Sequence, residues 1–250
     1  MDSFGKQNDI AQKEMIVRIF NEFAEAFKAK ITKDYYISLQ YEIEGSNGKT
    51  AIQVHVKDGN VRVSEDLEND VEDTLVMSYD TLLKLYSHEL NYMTAMSCLS
   101  KESDYKKTFI EPRARDEKRI IFLDKENDAE AVLFAKRMHK MDDFFNKDKE
   151  DIVKVESRLC GKAHGVNAIA LFSDYEKGIL HAYFEIEKGE ELKEPAIPFS
   201  IFILQGSGLL FIEDEKYEIE ENTYYKFEPS GGIRVINESS VKLKLLYIAG

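Results

Sequence analysis

FEIEKGEELKEPAIPFSIFILQGSGLLFI, residues 184–212, decides how this chain is read. It holds the end of one alternating strand (Ile179 to Ile186), a second strand (Ser200 to Leu204), the hairpin turn Gly206-Ser207-Gly208 and a third strand (Leu209 to Ile212). Outward from it the pattern repeats. Short strands are predicted around Ala168 to Phe172, Tyr217 to Ile219, Tyr224 to Phe227, Arg234 to Ile236 and Lys242 to Ile248, separated by Gly, Pro, Asp and Asn. Strands this short and this regularly spaced predict an all-β sandwich or barrel over residues 151–250.

Upstream, residues 1–150 have a different texture and are expected to form a separate α+β domain, with the charged run 146–151 as the boundary. Ile16, Ile19, Phe20, Phe23 and Phe27 recur at helical spacing. Tyr35, Ile37, Leu39, Tyr41 and Ile43 then alternate with Tyr36, Ser38, Gln40, Glu42 and Glu44, which predicts a strand buried on one face. Turns at 45–48 and at Asp58-Gly59 make a meander with Ile52, Val54, Val56, Val61 and Val63. Residues 75–79 read as a strand leading into a helix with Leu82, Leu83, Leu85 and Tyr86, capped by Ser78 or Asp80, and a short helix holds Tyr92, Met93 and Met96. Residues 101–118 read as a loop, 119–123 as a strand, and 128–145 as a helix.

Composition narrows the function. With 47 acidic against 34 basic residues and a net charge of −13, a sequence-independent grip on nucleic acid or an anionic membrane is not expected. No segment approaches the roughly 18 apolar residues of a membrane span, and the amino terminus lacks an apolar core behind a basic start, so a cytoplasmic location is expected. Cys98 and Cys160 are far apart and read as inert free thiols. No nucleophile elbow or phosphate-cradling glycine loop is present.

The order of elements in the first half, with VHVKDGNVRVSED followed by TLVMSYDTLLKLYSHELNYMTAMSCL, resembles the sterol carrier protein type-two domain over Ile16 to Ser100 and toward Phe145. That resemblance implies an apolar pocket walled by Met77, Leu82, Leu85, Tyr86, Tyr92, Met93 and Met96, whose bland alternative is plain core packing. The second half resembles a cupin of jelly-roll type. Metal-binding cupins carry two histidines and a glutamate in a first motif and a third histidine in a second. Counted from Gly189, the first motif falls on Pro195, Ile197 and Ile201 or Phe202, and counted back from Gly206 on Lys193, Pro195 and Phe199. In the second motif Pro229 and Gly231 survive, Arg234 replaces the histidine and Asn237 arrives one residue early. Hydrocarbon side chains cannot ligate a metal, so no metal and no cofactor are expected.

What remains is a non-enzymatic protein that binds an apolar small molecule or lipid, with a barrel used for homodimerisation or ligand sensing. Phe199, Ile201 and Arg234 are the barrel's ligand-binding candidates: an Arg234 guanidinium at the barrel mouth would bind a carboxylate, or else pair with Glu228 or Glu238. The alternatives are a structural scaffold and a metal-independent sugar or small-acid isomerase with His181 as base and Tyr183 as acid. Alternation with Leu180, Ala182, Phe184 and Ile186 points His181 and Tyr183 outward, as a surface or interface pair.

Overall fold

The apolar stripe near the amino terminus forms one long helix, α1 (Ser3–Phe27), and Ile16, Ile19, Phe20, Phe23 and Phe27 are all fully buried. The structure is a computed structural model that describes residues 3–31, 35–46, 48–65, 71–96, 109–113, 137–138, 140–146, 153–174, 177–194, 198–228 and 231–250. The expected strand at 119–123, the start of the 128–145 helix, Cys98, His139 and nearly all of the 146–151 boundary lie outside these residues. Two compact units are described, one within residues 1–95 and 109–153, the other chiefly 154–250.

In the first unit the predicted meander is present as β1 (Ile37–Gly45), β2 (Gly48–Lys57) and β3 (Asn60–Ser64). β4 (Asp73–Ser78) lies parallel to β1 and leads into α2 (Tyr79–Tyr86), whose amino end is capped by Ser78 Oγ accepting from Thr81 N at 3.0 Å. A short α3 (Tyr92–Met96) follows. Residues 101–118 are not all loop. β5 (Ile110–Arg113) pairs antiparallel with β4 and completes a sheet of order β3-β2-β1-β4-β5. Pro112, which argued for a loop, is tolerated because β5 is an edge strand, where a missing N–H costs little.

The apolar face of β1 meets an aromatic cluster. Tyr92 stacks on Phe145 at 4.8 Å, Phe20 lies 5.4 Å from Tyr41, and Phe144 and Phe145 come from the helical residues 140–145. The opposite face departs from expectation. Ser38, Glu42 and Gln53 are buried; Ser38 and Gln53 are bonded laterally, with Ser38 Oγ to His55 Nδ1 at 3.1 Å, His55 Nε2 to Gln53 Oε1 at 3.2 Å and Gln53 Nε2 to Gln40 Oε1 at 3.2 Å, while Glu42 Oε2 faces Lys49 Nζ at 3.7 Å. Cross-strand hydrogen bonding replaces solvation on that face.

The second unit opens with a one-turn 3₁₀ helix (Ser157–Leu159) and continues entirely in strands. These are β6 (Gly161–Ala163), β7 (Val166–Asp174), β8 (Ile179–Ile186), β9 (Glu191–Glu194), β10 (Phe199–Gln205), β11 (Gly208–Ile212), β12 (Glu215–Ile219), β13 (Tyr224–Phe227), β14 (Ile233–Ile236) and β15 (Leu243–Ala249). β6 and β9 are additions to the predicted set. Two sheets result, β13-β10-β15-β8-β7-β6 and β12-β11-β14-β9, with every pair antiparallel. From β8 onward the chain crosses between sheets at nearly every connection, the jelly-roll pattern. The inner faces supply one core, with Phe184, Ile186, Ile201, Ile203, Leu210, Ile233, Val235 and Leu245 all at 1% exposure or less. Each such side chain contributes about 1.5–3 kcal/mol by leaving water.

Asn237, one residue early for the cupin motif, has a structural task. Fully buried, it donates from Nδ2 to Ile186 O at 2.9 Å and to Val241 O at 2.8 Å, and accepts from Ser239 N at 2.9 Å. It ties the end of β8 to the turn before β15. Asn237→Ala removes all three bonds and takes these partners from Ile186 O and Ser239 N, while Val241 O keeps its bond from Ser239 Oγ at 2.7 Å; urea unfolding should show a loss of about 1–3 kcal/mol with an unchanged denaturant slope.

Candidate functional site

Alternation along β14 sends Ile233 and Val235 inward and Arg234 outward. This corrects the expectation of a guanidinium at the barrel mouth. Arg234 is half exposed, lies 4.8 Å over the Phe211 ring and pairs with Glu191 Oε1 at 3.0 Å, not with Glu228 or Glu238. Phe199 and Ile201 do face the interior, buried in the core. Phe202 lies half-buried on the outer face, and Lys193 is exposed beside Glu191 at 3.6 Å. Pro195, Ile197 and Pro229 lie outside the described residues. Among the described residues no three His, Cys, Asp or Glu side chains converge.

The interior is not purely hydrocarbon. β9 alternates so that Leu192 and Glu194 share its inner side, and the Glu194 side chain is 3% exposed. Its Oε1 makes no hydrogen bond among the described residues; the nearest charge partner is His164 Nδ1 at 3.6 Å, in the β6–β7 turn. Burial without a compensating donor pushes the Glu194 carboxyl up to about 8. Tyr247, fully buried on the inner side of β15, likewise leaves its hydroxyl without a hydrogen bond, and burial followed by the Glu194 charge raises its pKa. Around it stand Phe199 at 5.5 Å and Phe184 at 5.9 Å, with Phe227 stacked 5.3 Å from Phe199. Nothing in the sequence marked Glu194 except its two-residue spacing from Leu192.

A second buried carboxylate lies on the outer side of β8. Glu185 accepts from Tyr183 Oη at 2.7 Å, from Lys242 Nζ at 2.7 Å and from Ser157 Oγ. Burial alone would raise its pKa, but the hydrogen bonds from Lys242, Ser157 and Tyr183 outweigh it and hold it below the ordinary 4.5. Tyr183 is therefore outward-facing yet buried, while His181 packs 5.5 Å from Phe172. Cys160 is buried, its Sγ 3.9 Å from Glu156 O.

In the first unit, Met77, Leu82, Leu85, Tyr92 and Met96 are buried, and Tyr86 and Met93 are half-buried. Tyr92 Oη sits 3.2 Å from Tyr41 Oη and donates to Met138 Sδ at 3.4 Å, while Tyr86 Oη donates to Glu22 at 2.5 Å. Tyr86 and Tyr92 also pack on the aromatic cluster, against Phe23 and Phe145. Among the described residues no helix is long and apolar enough to cross a membrane.

No family model matches this chain, and no curated protein does. Solved structures match its carboxy-terminal part at low identity. A cupin 2 conserved barrel domain protein from Salinispora arenicola is 9% identical, with 41% of this chain and 89% of that one covered and a TM-score of 0.36. The cupin domain of an XRE-family transcriptional regulator from Enterobacter cloacae is 14% identical, covering 34% of this chain and 95% of that one, at 0.31. A predicted oxalate decarboxylase from Thermotoga maritima is 18% identical, covering 34% and 78%, also at 0.31. The strand order described above independently makes the second unit a two-sheet antiparallel jelly roll.

The Glu194 geometry fixes the sign of a pH effect. Its folded pKa of about 8 lies above the ordinary 4.5, so between those values the folded state holds a proton that the unfolded state has lost. Stability therefore falls as pH rises through that window and levels off above it. Glu194→Gln should flatten the decline measured by chemical denaturation between pH 5 and about 8, whereas Glu185, whose pKa is lowered, affects only the acid side.

Proposed function

We propose that the protein is a non-enzymatic binding protein whose barrel pairs two copies of the chain and whose role is to hold an apolar small molecule or lipid without transforming it. The observation that carries the pairing is the outer face of the six-stranded sheet. Directly paired residues of antiparallel strands share a face, and here the registers join Tyr224 to Phe202, Phe202 to Leu246, Ile248 to His181 and His181 to Phe172. Tyr224, Phe172, Ile248 and Leu204 on that face are 57%, 44%, 43% and 38% exposed.

A second copy is the partner that fits. On a chain with a net charge of −13, the outward residues of β8, β10, β13 and β15 include one carboxylate, Glu185, which is buried and paired with Lys242, and two lysines, Lys226 and Lys244, while the register of β7 adds Asp174 opposite Ile179 at the edge of the sheet. Two such faces meet without the acid-against-acid repulsion that most of this surface would impose, and a self-complementary apolar patch is what a two-fold interface uses.

The ligand part of the proposal rests on the buried methionines and aromatics of the first unit. A guest there would take the place of Phe145 against Tyr92, gaining about 0.8 kcal/mol for each methylene buried. The isomerase reading has less support, because the Tyr183 proton is committed to Glu185 and His181 faces Phe172 on the outer patch.

Sedimentation should show a dimer at micromolar concentration, and Leu246→Glu should weaken it at least 100-fold with an unchanged far-ultraviolet spectrum; a monomer at all concentrations rejects the pairing. Native mass spectrometry after gentle purification should find a co-purifying lipid or fatty acid, or titration with fatty acids should show binding, and silence in both rejects the carrier role.

A further inference from the structure

Buried polar atoms that lack a hydrogen bond are rare in folded proteins, and each needs an account. Among the described residues two of them share the inner side of this barrel, Glu194 Oε1 and Tyr247 Oη. Both can accept a hydrogen bond, and a carboxyl group enclosed without a facing positive charge is an incomplete arrangement. The groups around it do not complete it: the His164 ring nitrogen stands off at 3.6 Å, and Tyr247 brings only its phenol.

The surroundings are aromatic. Tyr247 is flanked by Phe199 and Phe184, and Phe199 by Phe227. Ring faces carry negative charge density and attract cations, most strongly where water is excluded. Across from Tyr247 on β8 the side chain is Ala182, so that flank of the phenol is lined by a methyl group. Beside Glu194, the His164 side chain is 44% exposed.

We infer that the barrel interior is a binding site for a small primary organic ammonium ion, its N–H groups donating to Glu194 Oε1 and Tyr247 Oη and its carbon skeleton lying against Phe199 and Phe184. A carboxylate ligand would find no cation there and would put a second acid beside the enclosed Glu194 carboxyl. A neutral apolar ligand would leave both polar atoms as they are. An ammonium supplies the missing counter-charge and two donors together, and it leaves the Glu194 carboxyl ionised at neutral pH. This site belongs to the second unit and does not depend on the carrier role of the first.

The test is calorimetric titration of the full chain at pH 7 with benzylammonium, benzyl alcohol and benzoate, repeated in buffers of different ionisation enthalpy. Benzylammonium should bind at least ten-fold more tightly than either of the others and release close to one proton. Glu194→Gln, which preserves shape, should lower benzylammonium affinity at least ten-fold and abolish proton release, and Tyr247→Phe should lower the affinity less. Circular dichroism establishes that each variant is folded; should Glu194→Gln not fold, the ligand ranking and proton release of the unaltered chain decide the matter. Failure to bind benzylammonium, equal or tighter binding of benzoate or benzyl alcohol, or binding indifferent to Glu194→Gln in a folded protein overturns the assignment.

Discussion

A β-strand sends neighbouring side chains to opposite sides, and in a sandwich one of those sides must be sealed against the facing sheet. In the second unit this constraint assigns nearly every side chain its place. Ile233 and Val235 go in, so Arg234 goes out; Leu192 goes in, so Glu194 goes in with it. The first assignment removes a cation from the barrel interior and the second puts an acid there. The reversal of charge inside the barrel therefore follows from register, with no need for a special loop.

Much of this was legible from residues alone. The hairpin at Gly206-Ser207-Gly208, the alternation on β8 and β15, and the replacement of metal-ligand positions by Phe199, Ile201 and Phe202 can all be read without coordinates. Four-residue β9 could not. Its Glu-Leu-Lys-Glu carries one apolar residue, too few to establish a period, and its strand character comes from pairing with β14. Glu194 was invisible for the same reason: an acid is assigned to solvent unless a neighbour two residues away is known to be core. The direction of Arg234 stayed open between barrel mouth and ion pair, because a motif position carries no direction and only the pleat of β14 sets it.

The first unit teaches a different lesson. Its amphipathic helix, meander and strand-to-helix step were legible because each has its own period or capping residue, as at Ser78. The burial of Ser38, Glu42 and Gln53 was not, since polar residues alternating with apolar ones signal an open face. Pattern reports chemistry, and burial depends on what the rest of the chain lays across it. The ladder through His55 and the two glutamines is how Ser38 and Gln53 are satisfied on such a face. β5 escaped notice because proline argues against a strand in general, and only the topology reveals that this strand is an edge.

Arg234 ties strands together from the outside. From β14 it reaches Phe211 on β11 on one side and Glu191 on β9 on the other, so one exposed cation spans three of the four strands of its sheet. Contacts of this kind are worth about 0.5–1 kcal/mol each at an exposed position, and mobile ions screen the charged one. Yet β9 has only four residues and, among the described residues, pairs only with β14. Glu191 outside and Glu194 inside belong to that same short strand. Ionic strength in the surrounding solution thus has a mechanical route to the enclosed acid: salt that loosens the outer grip on β9 also slackens the hold on the carboxyl it carries within.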